Sequence, residues 1–75
     1  MREEIFNIFK EWKKEAGVEN IILVGVFPNV KKVIKVYTNK PEMMKGKDGC
    51  LLKKYAPLLK ECIPDLISIE ISKAY

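Results

Sequence analysis

The sequence predicts an α+β domain in which helices cover one face of a three-stranded mixed sheet. Three observations lead to this fold class. Two segments of the 75-residue chain carry apolar residues at the spacing of an amphipathic helix. Two β-branched segments flank a Pro-Asn turn signal, which predicts an antiparallel hairpin. A third alternating segment follows the second helical one, far enough along the chain to pair in parallel.

Length and composition indicate one domain spanning residues 1–75. Hydrophobic residues make up 48% and charged residues 32% of the chain, which is typical of a globular protein. No apolar run reaches the roughly 20 residues that a membrane span needs. The charged start Arg2-Glu3-Glu4 is unlike a secretory signal. We therefore expect a cytoplasmic protein that does not enter a membrane.

The first half of the chain predicts a helix and a hairpin. Residues 3–16 form the helix, and Gly17 is suited to end it. Residues 20–27 and 31–38 form two strands that the turn Pro28-Asn29 connects. The apolar face of the helix holds Ile5, Phe9, Trp12 and Ala16, and one face of the second strand holds Ile34 and Val36. The large aromatic side chains of the helix are predicted to form core.

A short helix follows the hairpin and ends before two glycines. Asn39 and Glu42 have the spacing of a capping box, and a proline in the first turn fits a helix start. The helix ends near Lys45, because Gly46 comes next. Asp48 is then placed to cap the following helix.

The last part of the chain predicts a helix over residues 50–63 and a strand over residues 66–71. Pro57 should kink the helix or split it in two, because proline lacks the N–H that the helix needs. The predicted apolar stripe of this helix comprises Leu51, Tyr55, Leu58 and Cys62, widened by Leu52, Leu59 and Ile63. The strand alternates Ile67, Ile69 and Ile71 with Ser68 and Glu70.

The cysteines and the absence of histidine argue against a metal site and against catalysis. Cys50 and Cys62 fall about 18 Å apart on one helix, too far for a disulfide. Cys62 reads as core, and Cys50 reads as a small residue in a tight corner or, less favoured, as a reactive thiol. Neither the serines nor Cys50 has a histidine to activate it. We expect no cofactor and no enzyme activity.

The stretch Gly46-Lys47-Asp48-Gly49 is the strongest functional signal. A glycine turn before a helix presents N–H groups at the positive end of the helix dipole, which favours an anionic ligand. Residues 21–60 also hold nine lysines against only two acidic residues, a net charge of +7 within a total of +4. A solvated lysine surface is the alternative explanation, but the basic excess coincides with the glycine turn and favours a polyanion.

The element order and the turn together resemble a type II KH domain, whose order is αββααβ. The closest likeness is to the KH domain of a small-subunit ribosomal protein. That pattern has a strand ending in Thr, two residues, Pro, four residues, Gly-x-x-Gly, and an apolar residue three positions later. The corresponding residues here are Thr38, Pro41, Gly46, Gly49 and Leu52. The likeness extends over the whole chain.

Four positions depart from the KH pattern. Glu42 stands where the family usually has Gly, and Lys45 stands where it has Ile or Val. The loss of that apolar position argues against sequence-selective base contact, whereas a lysine there suits phosphate. Asp48 is unfavourable for an anion and offsets Lys47, and Pro57 is unusual in the family helix.

The resemblance implies that the protein binds single-stranded RNA, or less favourably DNA, along a narrow groove. Gly46, Lys47, Asp48 and Gly49 would lie against the sugar-phosphate backbone. Salt-dependent attraction would come from Lys40, Lys45, Lys47 and Lys53. The candidates for an apolar groove floor are Ile34, Met43, Met44 and Leu52, with core packing as the equally weighted alternative. One copy should bind weakly, so a ribosome or a second RNA-binding protein would supply affinity.

A second interpretation remains open beside RNA binding. Lys45 and Asp48 also fit a KH-like protein-interaction module that no longer binds nucleic acid. The apolar first strand leaves a homodimer through an exposed sheet edge open as well.

Overall fold

A computed structural model gives the structure of the chain and describes residues 2–26 and 32–74. Helix α1 spans Arg2–Ala16, and strands β1 and β2 span Ile22–Val24 and Val33–Thr38. Helix α2 spans Pro41–Lys45, a single 3-10 turn spans Lys47–Gly49, helix α3 spans Cys50–Cys62 and strand β3 spans Ser68–Lys73. The described residues do not include the predicted turn Pro28-Asn29. They also leave out Phe27 and Lys31, where the two predicted hairpin strands end and begin.

The predicted α+β class and the mixed sheet are confirmed. Strand β2 is central, pairs antiparallel with β1 and pairs parallel with β3, in the order β1-β2-β3. In register, Leu23 lies opposite Val36, and Val36 lies opposite Ile71. Parallel pairing needs a long crossover, which α2 and α3 provide.

One face of the sheet is buried under the helices. Ile34 and Val36 are fully buried, while Lys35 between them is exposed, as the period of two in a strand requires. From the helices, the predicted set Ile5, Phe9, Trp12 and Ala16 joins this core. Trp12 stacks between Phe9 and Tyr55 at centroid distances of 5.5 and 5.4 Å, so α1 is joined to α3 through aromatic rings.

Several predicted boundaries are wrong. In residues 20–26, the described part of the predicted first strand, only Ile22–Val24 form β1. Strand β3 begins at Ser68, two residues later than predicted. Of the two outcomes predicted at Pro57, a kink or a split, the split does not occur: α3 is one helix from Cys50 to Cys62. Tertiary packing holds α3 together against the cost of the missing N–H.

Three apolar side chains lie elsewhere than predicted. Leu58 is 42% exposed, because the buried stripe of α3 runs through Leu51, Tyr55 and Leu59 instead. Ile67 is 73% exposed just before β3, although its N–H donates to the carbonyl of Lys32 at 2.7 Å. Cys62 is half-buried against the core rather than part of it.

The predicted helix caps are also wrong. Lys40, not Asn39, is the cap of α2, and no side chain caps that end. The Thr38 hydroxyl oxygen instead accepts a hydrogen bond from the Lys40 N–H at 3.1 Å. Gly49, not Asp48, is the cap of α3, again without a side-chain bond. Asp48 lies inside the 3-10 turn with φ 56° and ψ 26°.

Candidate nucleic-acid interface

The segment Gly46–Gly49, called the glycine corner from here on, links α2 to α3 through left-handed backbone. Gly46 has φ 81° and ψ 171°, a conformation that is essentially restricted to glycine. A Cβ atom there would lie 2.7 Å from Cγ and 2.9 Å from the backbone nitrogen of Leu51. Gly46 is therefore required both by its dihedral angles and by the close approach of α3.

The outer half of the glycine corner is shaped differently. Gly49 has φ 73°, and a Cβ atom there would meet nothing within 4 Å. Asp48 also adopts positive φ, which aspartate tolerates better than most residues. Lys47 and Asp48 are exposed, and both glycines are partly exposed. The corner thus lies on the surface, where a ligand can reach its backbone.

Two amide groups of the corner make no backbone hydrogen bond among the described residues. The N–H of Gly49 donates to the carbonyl of Gly46 at 3.1 Å, and that of Cys50 donates to Lys47. Within the described residues, the N–H groups of Lys47 and Asp48 donate to no backbone carbonyl. Adjacent free amides in a turn form an anion-binding concavity.

The glycine corner is held from beneath by α1. The indole Nε1–H of Trp12 donates to the carbonyl of Met44 at 2.7 Å, two residues before Gly46. Met44 and Ile34 are both fully buried. Their interpretation as groove floor is therefore wrong, and the alternative of core packing is correct.

The other two predicted floor residues are not fully buried. Met43 is 44% exposed, but its methyl group lies near Gly17 at the end of α1. Leu52 is half-buried and packs against the core. Neither lines the cavity that the structure forms beside the corner.

That cavity is a groove of about 330 Å³ between α3 and the start of β3. We call it the α3–β3 groove. One stripe of α3 forms one wall and residues 66–69 form the other. The lining residues are Lys53, Ala56, Pro57, Lys60, Leu66, Ile67, Ser68 and Ile69. Along α3, Lys53 and Lys60 lie at the two ends of the groove lining, with Ala56 and Pro57 between them. Lys53 is one helical turn after Gly49.

Sequence reasoning found Lys53 but missed the rest of this groove. The α3 stripe was readable, since positions 53, 56, 57 and 60 have the i, i+3, i+4, i+7 spacing of one helix face. The opposite wall was not, because Ile67 was assigned to the buried face of a strand. Only the parallel pairing of β3 with β2 brings residues 66–69 beside α3.

The lysines of the basic segment have different roles. Lys47 and Lys53 are exposed and Lys45 is half-exposed, all at or beside the corner. Lys40 lies at the other end of α2, where it lines a separate cavity of about 410 Å³ with Tyr37. Lys60 donates to the Leu66 carbonyl at 2.6 Å and so connects the two walls of the groove.

Lys54 forms an ion pair with Glu15 of α1 and does not line the α3–β3 groove. Its ammonium and the Tyr55 hydroxyl both donate to Oε1 of Glu15 at 2.6 Å. These bonds, that of Lys54 first, lower the pKa of Glu15 and raise the pKa of both donors. The cluster joins α1 to α3 and adds little net charge to the groove.

The cysteines are free, as predicted from their separation. Cys50 is exposed at the start of α3, and the tight position in the corner belongs to Gly46 instead. The Cys62 thiol lies 3.6 Å from Oε2 of Glu4, and burial followed by this contact raises the pKa of Cys62. In residues 2–26 and 32–74, no group of acidic and cysteine side chains is arranged to hold a metal ion.

Comparisons with protein-family models, curated proteins and solved structures find no match to this chain. The resemblance to KH domains therefore stays a prediction that depends on the motif and the element order. In the described part of the chain, no helix has the length and apolar character to cross a bilayer.

Proposed function

We propose that this protein binds single-stranded RNA along the glycine corner and the α3–β3 groove. One observation carries the proposal. In the described residues, an exposed corner with two amides that make no backbone hydrogen bond lies one helical turn before a groove lined by lysines and apolar side chains. A polynucleotide needs both parts, since its phosphates are anionic and its bases are flat and largely apolar on their faces.

The glycine corner would bind the sugar-phosphate backbone. The N–H groups of Lys47 and Asp48 are donors for a phosphate oxygen, and the start of α3 adds positive potential. Lys45, Lys47 and Lys53 surround this point with positive charge. Asp48 opposes them with one negative charge, which limits the affinity of the corner but leaves its net charge positive.

The α3–β3 groove would take the bases. Ile67 is the most exposed large apolar residue of the described chain, and Pro57 lines the same groove from α3. Such side chains are costly to leave in water and offer flat contact to an unstacked base. Gly49 and Lys60 are about 16 Å apart along α3, which suits about four nucleotides. An interface this small binds weakly, so a ribosome or a second RNA-binding protein would add avidity.

The test is an anisotropy titration of a labelled RNA hexamer of mixed sequence over a range of salt concentrations. We expect wild-type binding to weaken steeply with salt and Lys47→Asp to abolish most of it. Lys14→Asp is the matched control, because it makes the same charge change on an exposed residue of α1 outside the groove. If the two variants weaken binding equally, the effect comes from the net charge of the protein, and the glycine corner is not the binding site.

A second candidate, a protein-interaction module, is favoured by one separate observation. A cavity of about 540 Å³ lies between α1 and the edge strand β1, and it is lined by Phe6 and Leu23 among others. Phe6 is 43% exposed at this cavity, and Ile22 and Val24 on the other face of the same edge strand are 55% and 46% exposed. Exposed apolar clusters at a sheet edge are typical of protein contacts. No RNA binding at low salt, together with self-association in sedimentation that Phe6→Ser removes, would favour this candidate.

A further inference from the structure

Strand β1 leaves one edge of the sheet open. The strand order is β1-β2-β3, so Ile22–Val24 pairs with a described strand on one side only. Among the described residues, no backbone hydrogen bond is made on its other side. An edge strand turns alternate N–H and C=O groups outward, where an extended segment of another chain can pair with them. The outer side of β1 therefore offers backbone hydrogen bonds to a partner.

The open edge borders the cavity of about 540 Å³ between α1 and β1, called the α1–β1 groove from here on. Phe6 and Leu23 belong to its apolar lining, and Lys10 and Lys13 are its charged lining residues. The Lys13 ammonium donates to the carbonyl of Glu19 at 3.1 Å, so the basic part of the groove lies at the start of β1. The described lining holds no acidic residue, and the groove thus combines an apolar surface with positive charge.

The charges argue against a second copy of this chain as the occupant. If two β1 edges joined into one sheet, the two α1 helices would lie on the same side, and Lys10 and Lys13 of one copy would approach the same lysines of the other. If β1 joined the β3 edge of another copy in the same way, these lysines would approach the α3–β3 groove, which is lined by Lys53 and Lys60. Both arrangements bring like charges together, which is unfavourable, so a partner of opposite charge fits the edge better.

We propose that β1 binds an extended segment of another protein, which carries apolar and acidic side chains on the face turned toward α1. The segment would add a fourth strand beside β1 through backbone hydrogen bonds. Side chains two positions apart share a face of a strand. One of them, apolar, would pack on Phe6 and Leu23, and the next, acidic, would meet Lys10 and Lys13.

This surface is separate from the proposed RNA site. The α1–β1 groove and the α3–β3 groove share no lining residue, and they border opposite edges of the sheet. Binding at the β1 edge would also cover Ile22 and Val24, which are exposed on the open face of the sheet. The inference therefore does not depend on RNA binding, and the two surfaces are tested independently.

The experiment titrates a short capped peptide into the isotope-labelled chain and follows the backbone amide signals by NMR. In the peptide, threonines alternate with two isoleucines and then two glutamates, so one face carries the apolar and the acidic side chains together. We expect the largest shifts at Ile22–Val24 and at Phe6. A matched peptide with glutamine in place of both glutamates should bind about two- to fivefold more weakly, the range of one exposed ion pair. This difference should shrink at high salt.

Two variants locate the contact. The double variant Lys10→Gln, Lys13→Gln should bind the glutamate and glutamine peptides equally, because it removes the positive charge of the groove lining. Lys53→Gln is the matched control, since it makes the same change in the α3–β3 groove and should keep the difference between the peptides. All three lysines lie on helix surfaces outside the core, so neither variant should fail to fold.

Four results would overturn the inference. The first is the absence of shifts at Ile22–Val24 up to about 1 mM glutamate peptide. The second is equal binding of the two peptides by the wild-type chain. The third is self-association of the chain in sedimentation that Phe6→Ser removes, because a second copy then occupies the groove. The fourth is displacement of the peptide by the RNA hexamer, because the groove is then part of an RNA surface. None of the first three results bears on RNA binding at the glycine corner.

Discussion

Gly46→Ala should destabilise the protein far more than Gly49→Ala, although both glycines belong to the same motif. The added methyl group at Gly46 meets Cγ of Leu51 at 2.7 Å and the Leu51 nitrogen at 2.9 Å. The side chain of Leu51 can shift, but the backbone nitrogen is fixed by α3. The methyl group at Gly49 meets nothing within 4 Å, so only the positive φ opposes it.

The magnitudes follow from these two environments. A non-glycine residue in the conformation of Gly46 costs about 1–3 kcal/mol from its dihedral angles. The backbone contact adds to this, so we expect a loss of about 3 kcal/mol or more. The left-handed conformation of Gly49 costs about 1–2 kcal/mol, of which the lower entropy of unfolded alanine offsets about 0.4–1 kcal/mol. A domain of this size holds only about 4–11 kcal/mol in total.

Urea and thermal unfolding measure both changes. The single tryptophan, Trp12, is fully buried and stacked, so its fluorescence reports loss of the core. Each 1 kcal/mol lowers Tm by about 4–8 °C in a domain of this length. At about 4 °C per kcal/mol, Gly46→Ala should therefore lower Tm by about 12 °C or more, and Gly49→Ala by about 6 °C or less. A loss at Gly46 no greater than that at Gly49 would refute the close approach of Leu51.

Three further changes test the packing around the site. Trp12→Phe leaves the buried carbonyl of Met44 without its donor, so urea unfolding should show a loss of about 1–3 kcal/mol. Pro57→Ala restores a helical N–H and should raise Tm, and a fall would show that the proline ring makes a needed contact. The lowered pKa of Glu15 means that its contribution is present above the ordinary value of 4.5 and is lost as pH falls through the folded pKa. The raised pKa of Tyr55 means that its contribution is present below 10.0 and is lost as pH rises through the folded pKa. The stability gap between wild type and Glu15→Gln should thus be widest between these limits and should close in acid, and a pH-independent gap would contradict the cluster.

Local patterns in the sequence were enough to predict the elements and most of the core. The spacing of Ile5, Phe9, Trp12 and Ala16 predicts one helix face, and all four are buried. The order of elements and the long crossover predict a parallel β2–β3 pair, which the sheet confirms. The sequence predicts a glycine turn between the two helices, and both glycines of that turn have positive φ. These features depend on near neighbours in the chain, which the sequence displays directly.

Only the tertiary structure decided which side chains the site contains. Met44 and Leu52 have the same apolar character in sequence, yet one is fully buried and the other is half-buried. Lys53 and Lys54 are adjacent, yet Lys53 lines the groove and Lys54 binds Glu15 across the helix pair. Ile67 comes to line the same groove as Pro57 only because β3 pairs with β2 in one register. Contacts between residues far apart in the chain leave no mark in a local pattern, so the elements followed from the sequence while the groove required the fold.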